Sequence, residues 1–220
     1  MRSLAPELLD LLPAEDARAQ RSRNDLVRIN AVMRHAAVMA RALSDFPEPA
    51  IFADLGGGDG RFMLSVAKRL APRWRRVRLV IADRQDIVSA STRAAFAQLG
   101  WHCESVTGDV CRAMPDADIV AANLFLHHFD DAALGHLLAA IARRARGFVT
   151  CEPRRSRLAL AASGMVGALG AGSVTRHDAV ASVAAGFKGR EISELWPKGP
   201  WALEERTVWP FSHLFAARAL

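Results

Sequence analysis

From residue 50 to residue 151 the chain alternates between short, mostly apolar runs and longer segments with helical spacing of apolar positions. The short runs are 50–54, 77–82, 102–107, 117–123 and 147–151. Their length and content suit strands of a covered parallel sheet. Between them, 61–70, 86–99 and 131–144 read as helices, the second followed by Gly100 at a C-cap position. Such alternation predicts an α/β three-layer sandwich, with helices on both faces of a mostly parallel sheet. Ligands of these sheets bind at the carboxyl ends of the strands.

The flanks follow other rules. In residues 1–47, Leu26, Ile29, Val32, Met33, Ala36, Ala37, Ala40 and Leu43 keep the spacing of an amphipathic helix. Pro47 and Pro49 end this helical lead, and residues 48–220 read as the main domain. Within it, 153–200 reads as an insertion with helices at 155–169 and 175–186, parted by a glycine bend at 170–172. Two extended runs, 201–208 and 211–218, meet at Trp209-Pro210 as a closing hairpin.

The most informative segment is Ala50-Ile51-Phe52-Ala53-Asp54-Leu55-Gly56-Gly57-Gly58-Asp59-Gly60. It reads as a buried strand, a tight glycine turn and a helix start. The dinucleotide pattern G-x-G-x-x-G fails in both registers, with Arg61 or Met63 at the third glycine position. No Gly-Lys-Ser/Thr follows for a P-loop. Asp54 and Asp59 would repel a pyrophosphate but suit a ligand bearing an ammonium group and hydroxyls.

Asp54 to Gly60 resembles motif I of the class I S-adenosylmethionine-dependent methyltransferases, Asp/Glu-x-Gly-x-Gly-x-Gly. The resemblance implies their Rossmann-like methyltransferase fold, a seven-stranded sheet with an antiparallel last strand, and S-adenosylmethionine as cofactor. It implies that Asp54, Gly56, Gly58 and Gly60 hold the methionine portion. Asp83 then stands at the position of the ribose-binding acid, with Arg84 beside it. Asp109 matches the acid that meets the adenine, followed by Val110, and Asn123 ends the fourth strand.

The segment Leu126-His127-His128-Phe129-Asp130-Asp131 supplies the candidate chemistry. Leu126-His127-x-Phe129-x-Asp131 is similar to the Leu-His-Asp-Trp-x-Asp segment of plant-type and bacterial O-methyltransferases, where the histidine deprotonates the acceptor hydroxyl. The match makes His127 the candidate base, with His128 as the other candidate. His128 stands where that family has an acid, and Phe129 where it has Trp. Glu152 ends the fifth strand and could orient a histidine, bind substrate or cap a helix. His177 could face the pocket, and His213 reads as structural. With no Tyr in the chain, a phenol cannot serve as acid or base.

Composition narrows the classes. Apolar residues make up 51%, which excludes a disordered chain. The formal net charge of +6 raises a nucleic-acid reading, but the arginines are scattered and no Asn-Pro-Pro-Phe/Tyr motif of amino-methylating enzymes is present. Three cysteines without C-x-x-C spacing point to a reducing, cytoplasmic setting and to no metal. Glu7 and Asp10 interrupt the first apolar stretch, so no signal peptide is expected, nor is stable membrane insertion. The lead and the insertion, with Phe187, Trp196 and Trp209, are expected to shape a pocket for a small apolar or aromatic acceptor. The leading expectation is O-methylation. C-methylation of a phenol- or quinone-like ring, nucleic-acid methylation and a non-catalytic cofactor-binding role are the alternatives. A homodimer through the helical lead is a further expectation from the resemblance.

Overall fold

In the computed structural model, which describes residues 2–220, three helices lead into the first strand. They are α1 (Leu8–Leu11), α2 (Ala17–Val32) and α3 (His35–Leu43). Asp16 caps α2 by accepting from the Arg18 amide. The one amphipathic helix anticipated across Leu26–Leu43 is divided at Arg34, whose φ is +56°. The break redirects the apolar stripe. Met39, Ala40 and Leu43 enter the main core, while Val32 stays 67% exposed.

The alternating region forms β1 (Ile51–Leu55), α4 (Arg61–Leu70), β2 (Arg78–Asp83), α5 (Ala90–Ala97), β3 (His102–Thr107), β4 (Ile119–Asn123), α6 (Asp131–Arg144) and β5 (Gly147–Pro153). α5 begins later than residue 86 because Ser89 accepts from the Thr92 amide and so fixes the start. Then follow α7 (Arg157–Gly164), α8 (Ser173–Ala185), α9 (Glu191–Leu195), β6 (Trp201–Val208) and β7 (Ser212–Ala219).

The seven strands lie in the order β3-β2-β1-β4-β5-β7-β6. β7 alone runs against the others, antiparallel to β5 on one side and β6 on the other. Successive residues of a strand face opposite sides. Phe52 therefore packs on one face with Met63, Phe96, Trp74 and Trp101, and Ala53 and Leu55 on the other with Leu134, Leu138 and Ile141. The ring of Phe52 meets Trp74 and Trp101 edge-on, with centroids 5.7 and 6.0 Å away. Burying each such side chain contributes about 1.5–3 kcal/mol. This core holds β1 and β4 side by side at the point where the strand order reverses, and their carboxyl ends open into one cleft. No helix among the described residues is long and apolar enough to cross a membrane.

Candidate functional site

A cavity of about 400 Å³ lies at those carboxyl ends. Its floor is the turn after β1. Gly56 and Gly58 have φ of +67° and +54°, backbone states that favour glycine. A Cβ on Gly56 would sit 2.3 Å from the Phe125 ring, whereas Gly58 faces open space with nothing within 4 Å. Gly57, between them, would bring a Cβ to 2.5 Å from Asp54 Oδ2. Gly60 is not in the cavity wall. It starts α4 at φ +75°, tight against Ile81.

Asp54 is 1% exposed, and its Oδ2 has no hydrogen-bond partner. Burial, and then the charge of Asp83, push its pKa up to about 8. Asp83 ends β2 and ties the glycine turn down, Oδ2 accepting from the Gly58 amide at 2.9 Å and Oδ1 from the Gln85 amide. Arg84, Asp109 and Val110 line the same cavity. Asp109 Oδ1 accepts from the Cys111 amide at 2.9 Å. Asn123, at the end of β4, donates to Asn30 Oδ1, and its own Oδ1 is buried without a partner.

Beyond Asn123 the chain turns sharply, with Leu124 at φ +53°. That turn brings the amides of Phe125 and Leu126 onto Glu152 Oε1, at 3.1 and 2.9 Å. It also places His127 Nδ1 2.8 Å from Glu152 Oε2, both side chains buried. On its other side His127 Nε2 is 3.1 Å from Glu7 Oε1, and Ser182 Oγ of α8 donates to the same Glu7 oxygen. Burial opposes a charge on His127, but hydrogen bonds to Glu152 and Glu7 overcome it and push its pKa up to about 9. Both carboxylates ionise readily in return. Burial resists this in each, and the His127 proton outweighs it, holding their pKa below the usual range. With a carboxylate facing each ring nitrogen, the geometry favours the imidazolium, which donates from both. His128 beside it, with burial and the His127 charge lowering its pKa, faces Asp10 at 3.5 Å.

The structure thus gathers Asp54, Gly56, Gly58, Asp83, Arg84, Asp109, Val110, Asn123, His127 and His128 around one cavity and leaves out Gly60. Glu7, His127 and His128 each bring a ligand atom within 4.8 Å of the others. With both nitrogens of His127 committed to carboxylates, the protonated ring has no lone pair for a cation. Phe187 and Trp196, expected to shape an acceptor pocket, are core residues instead. Trp196 stacks on Phe148, and Trp209, at the hairpin tip, is 86% exposed. The apolar wall comes from Leu9, Leu26, Val27, Phe62, Phe125 and Phe129. Among the described residues of the insertion, only Ser182 reaches the cavity. His177 pairs with Asp178, and His213 is buried against Glu205.

Glu7 and Ser182 had no local signal. Each acts through a partner more than a hundred residues away. Glu152 could be recognised by its place at the end of the fifth strand.

Comparison with known proteins gives one family match: a model for the O-methyltransferase domain covers residues 13–150. No curated protein matches. Among solved structures, an O-methyltransferase family protein from Burkholderia thailandensis is 20% identical, with a TM-score of 0.61 over 94% of this chain and 61% of that one. The mitomycin 7-O-methyltransferase MmcR is also 20% identical, with a TM-score of 0.62 over 96% and 60%. The plantazolicin methyltransferase BpumL, in complex with SAH, is 13% identical, with a TM-score of 0.65 over 94% and 92%. At these identities the structural likeness is one of fold. The chain spans about 60% of the length of the first two proteins.

Proposed function

The chain belongs to the O-methyltransferase domain family, and on that footing we propose that it transfers a methyl group from S-adenosylmethionine to an oxygen of a small apolar or aromatic acceptor. What supports the reading most is that one cavity is lined by an unpartnered buried carboxylate, Asp54, and by His127, which Glu152 holds from behind.

The residues fit the cofactor. Asp54 Oδ2 lacks a cation, and the α-ammonium group of the methionine portion supplies one, directly or through water. The open space over Gly58 lets a ligand approach the backbone. Each oxygen of Asp83 already accepts one amide hydrogen and keeps a lone pair for a ribose hydroxyl. Asp109 and Val110 stand where the adenine is expected. When bound, the cofactor supplies an electrophilic methyl on a sulfonium.

The rest is positioning. The apolar wall holds the acceptor in a dry, oriented pose, and orientation accounts for much of the acceleration in such transfers. Glu152 fixes the ring of His127 and keeps Nδ1 protonated, so Nε2 is the atom that meets the acceptor oxygen. We assign His127 the contact with the acceptor and His128 a place in the pocket wall. The three free thiols suit a reducing compartment.

Calorimetric titration with S-adenosylmethionine, followed by mass spectrometry of a panel of hydroxylated aromatics incubated with both, tests the reading. Binding and a one-methyl mass gain on a hydroxyl are expected, with NMR separating O- from C-methylation. No binding would overturn it.

A further inference from the structure

The seat at His127 Nε2 is already occupied by part of the chain itself. Glu7 Oε1 receives the Nε2 hydrogen at 3.1 Å and the hydroxyl hydrogen of Ser182. Both donors are fixed. His127 is 2% exposed and clamped from behind by Glu152, and Ser182 sits on α8. Two rigid donors converging on one carboxylate oxygen make a site for a negatively charged oxygen.

Glu7 is loosely held otherwise. α1 buries none of its residues, and Leu4, Leu8 and Leu11 are exposed. The segment is fastened by polar contacts, with Arg2 at one end donating to Phe129 O and Ala185 O, and Asp178 receiving the Leu8 and Leu9 amides. A segment with little apolar burial opens at low cost.

We propose that the acceptor presents an ionised oxygen to the seat formed by His127 Nε2–H and Ser182 Oγ–H, displacing Glu7. This rests on the methyltransferase reading and narrows it to acidic hydroxyls: acidic phenols, enols or carboxylic acids rather than alcohols. An acceptor entering as the anion leaves its proton in water. Transfer then joins the oxygen to the methyl carbon as the methyl–sulfur bond breaks, so anion and sulfonium neutralise each other with no proton left to remove. The charged groups around His127 agree with this role. Glu152 from β5 and Glu7 from the N-terminal segment hold its charge, while Asp10 is turned to His128 and Asp178 of α8 to the Leu8 and Leu9 amides. Arg2 meets the backbone carbonyl of His127, away from the ring.

The test uses the full chain saturated with S-adenosylhomocysteine, whose binding is measured first. Failure there overturns the methyltransferase reading instead. Three probes follow at slightly acidic pH: 4-nitrophenol, benzoate and phenol. Glu7→Ala should tighten 4-nitrophenol or benzoate by roughly tenfold or more, as expected for freeing a charge-assisted hydrogen-bond site. Phenol should change little. Bound 4-nitrophenol should show the visible band of its phenolate, and Ser182→Ala should weaken both anions. The two anionic arms separate phenolate from carboxylate acceptors. Glu7→Gln, which keeps the shape and removes the charge, gives the same ranking if Glu7→Ala fails to fold. Equal response of phenol and the anions, or nitrophenol bound in its neutral form, would overturn the proposal.

Discussion

Glu152 Oε2 and His127 Nδ1 lie 2.8 Å apart where β4 and β5 end side by side. Glu152 does more than hold the ring. Its Oε1 accepts from the amides of Phe125 and Leu126 and from Thr150 Oγ1. One carboxylate thus fixes both the histidine and the turn that carries it. Removing it should separate activity from stability by the replacement chosen. Glu152→Gln keeps a hydrogen-bonding side chain and should lower turnover by about 100-fold or more through loss of the imidazolium. Glu152→Ala leaves the Phe125 and Leu126 amides and the Thr150 hydroxyl without their acceptor and should cost about 3–5 kcal/mol in urea unfolding. Equal stability of the two variants would contradict this division.

The same pair gives stability a pH signature. His127 has its pKa raised from 6.5 to about 9, so its pairing stabilises the fold fully below pH 6.5 and is lost as pH rises through 9. Asp54 acts in the same direction. An acid raised from 3.8 to about 8 adds a penalty that grows over that range and stays constant beyond it. The low pKa of Glu7 and Glu152 works oppositely, contributing above 4.5 and failing in acid. The decline in urea midpoint from pH 8 to 9 therefore belongs to His127. His127→Asn should flatten that interval, lessen the slope between pH 6.5 and 8, and leave to Asp54 the decline below 6.5.

Asp54 should also make cofactor affinity depend on pH. A carboxyl with a pKa near 8 is largely protonated at neutrality, and an ammonium partner pulls the proton off. Affinity for S-adenosylhomocysteine should rise with pH up to about 8. Calorimetry in buffers of different ionisation enthalpy should register proton release. Asp54→Asn should remove both effects and weaken binding by roughly 10–100-fold, the range for a lost charged hydrogen bond.

Two glycines of the turn should fail differently. Gly56→Ala would drive a Cβ into the Phe125 ring at 2.3 Å, so it should destabilise the fold itself, lowering the melting temperature. Gly58→Ala meets nothing within 4 Å and bears only the strain of φ +54°, about 1 kcal/mol. Its methyl points into the space the ligand needs. It should fold nearly as well as the parent and lose most cofactor binding.

Much of this was readable from residue order alone, because the signals were local. The buried runs of β1, β2, β4 and β5 and the Asp54–Gly60 turn each announce themselves within ten residues. Three things did not. α9 escapes notice because its first amides are received by Glu205 of β6, through Ile192 and Ser193, rather than by a neighbouring cap. The division of the lead at Arg34 depends on where α3 must dock, as its apolar spacing continues unbroken. Glu7 lies among leucines and a proline, and only folding sets it against His127 and Ser182.

That N-terminal segment offers a last test, which separates its anchor from its middle. Arg2 is held at several points, pairing with Asp131 at 2.9 Å, donating to Phe129 O and lying 4.3 Å over the Phe187 ring. Asp178 holds the middle through the Leu8 and Leu9 amides, at 2.8 and 3.0 Å. Asp178→Ala should leave Arg2 in place yet speed hydrogen exchange at those two amides by about 10-fold or more. If the segment competes with the acceptor, the same change should lower the acceptor KM with kcat unaltered, since Asp178 touches neither the cavity nor His127. Faster exchange without a change in KM would mean that the segment opens freely and does not limit entry. Arg2→Ala should release the far end as well and extend the faster exchange to Ser3, whose amide donates to Ala184 O.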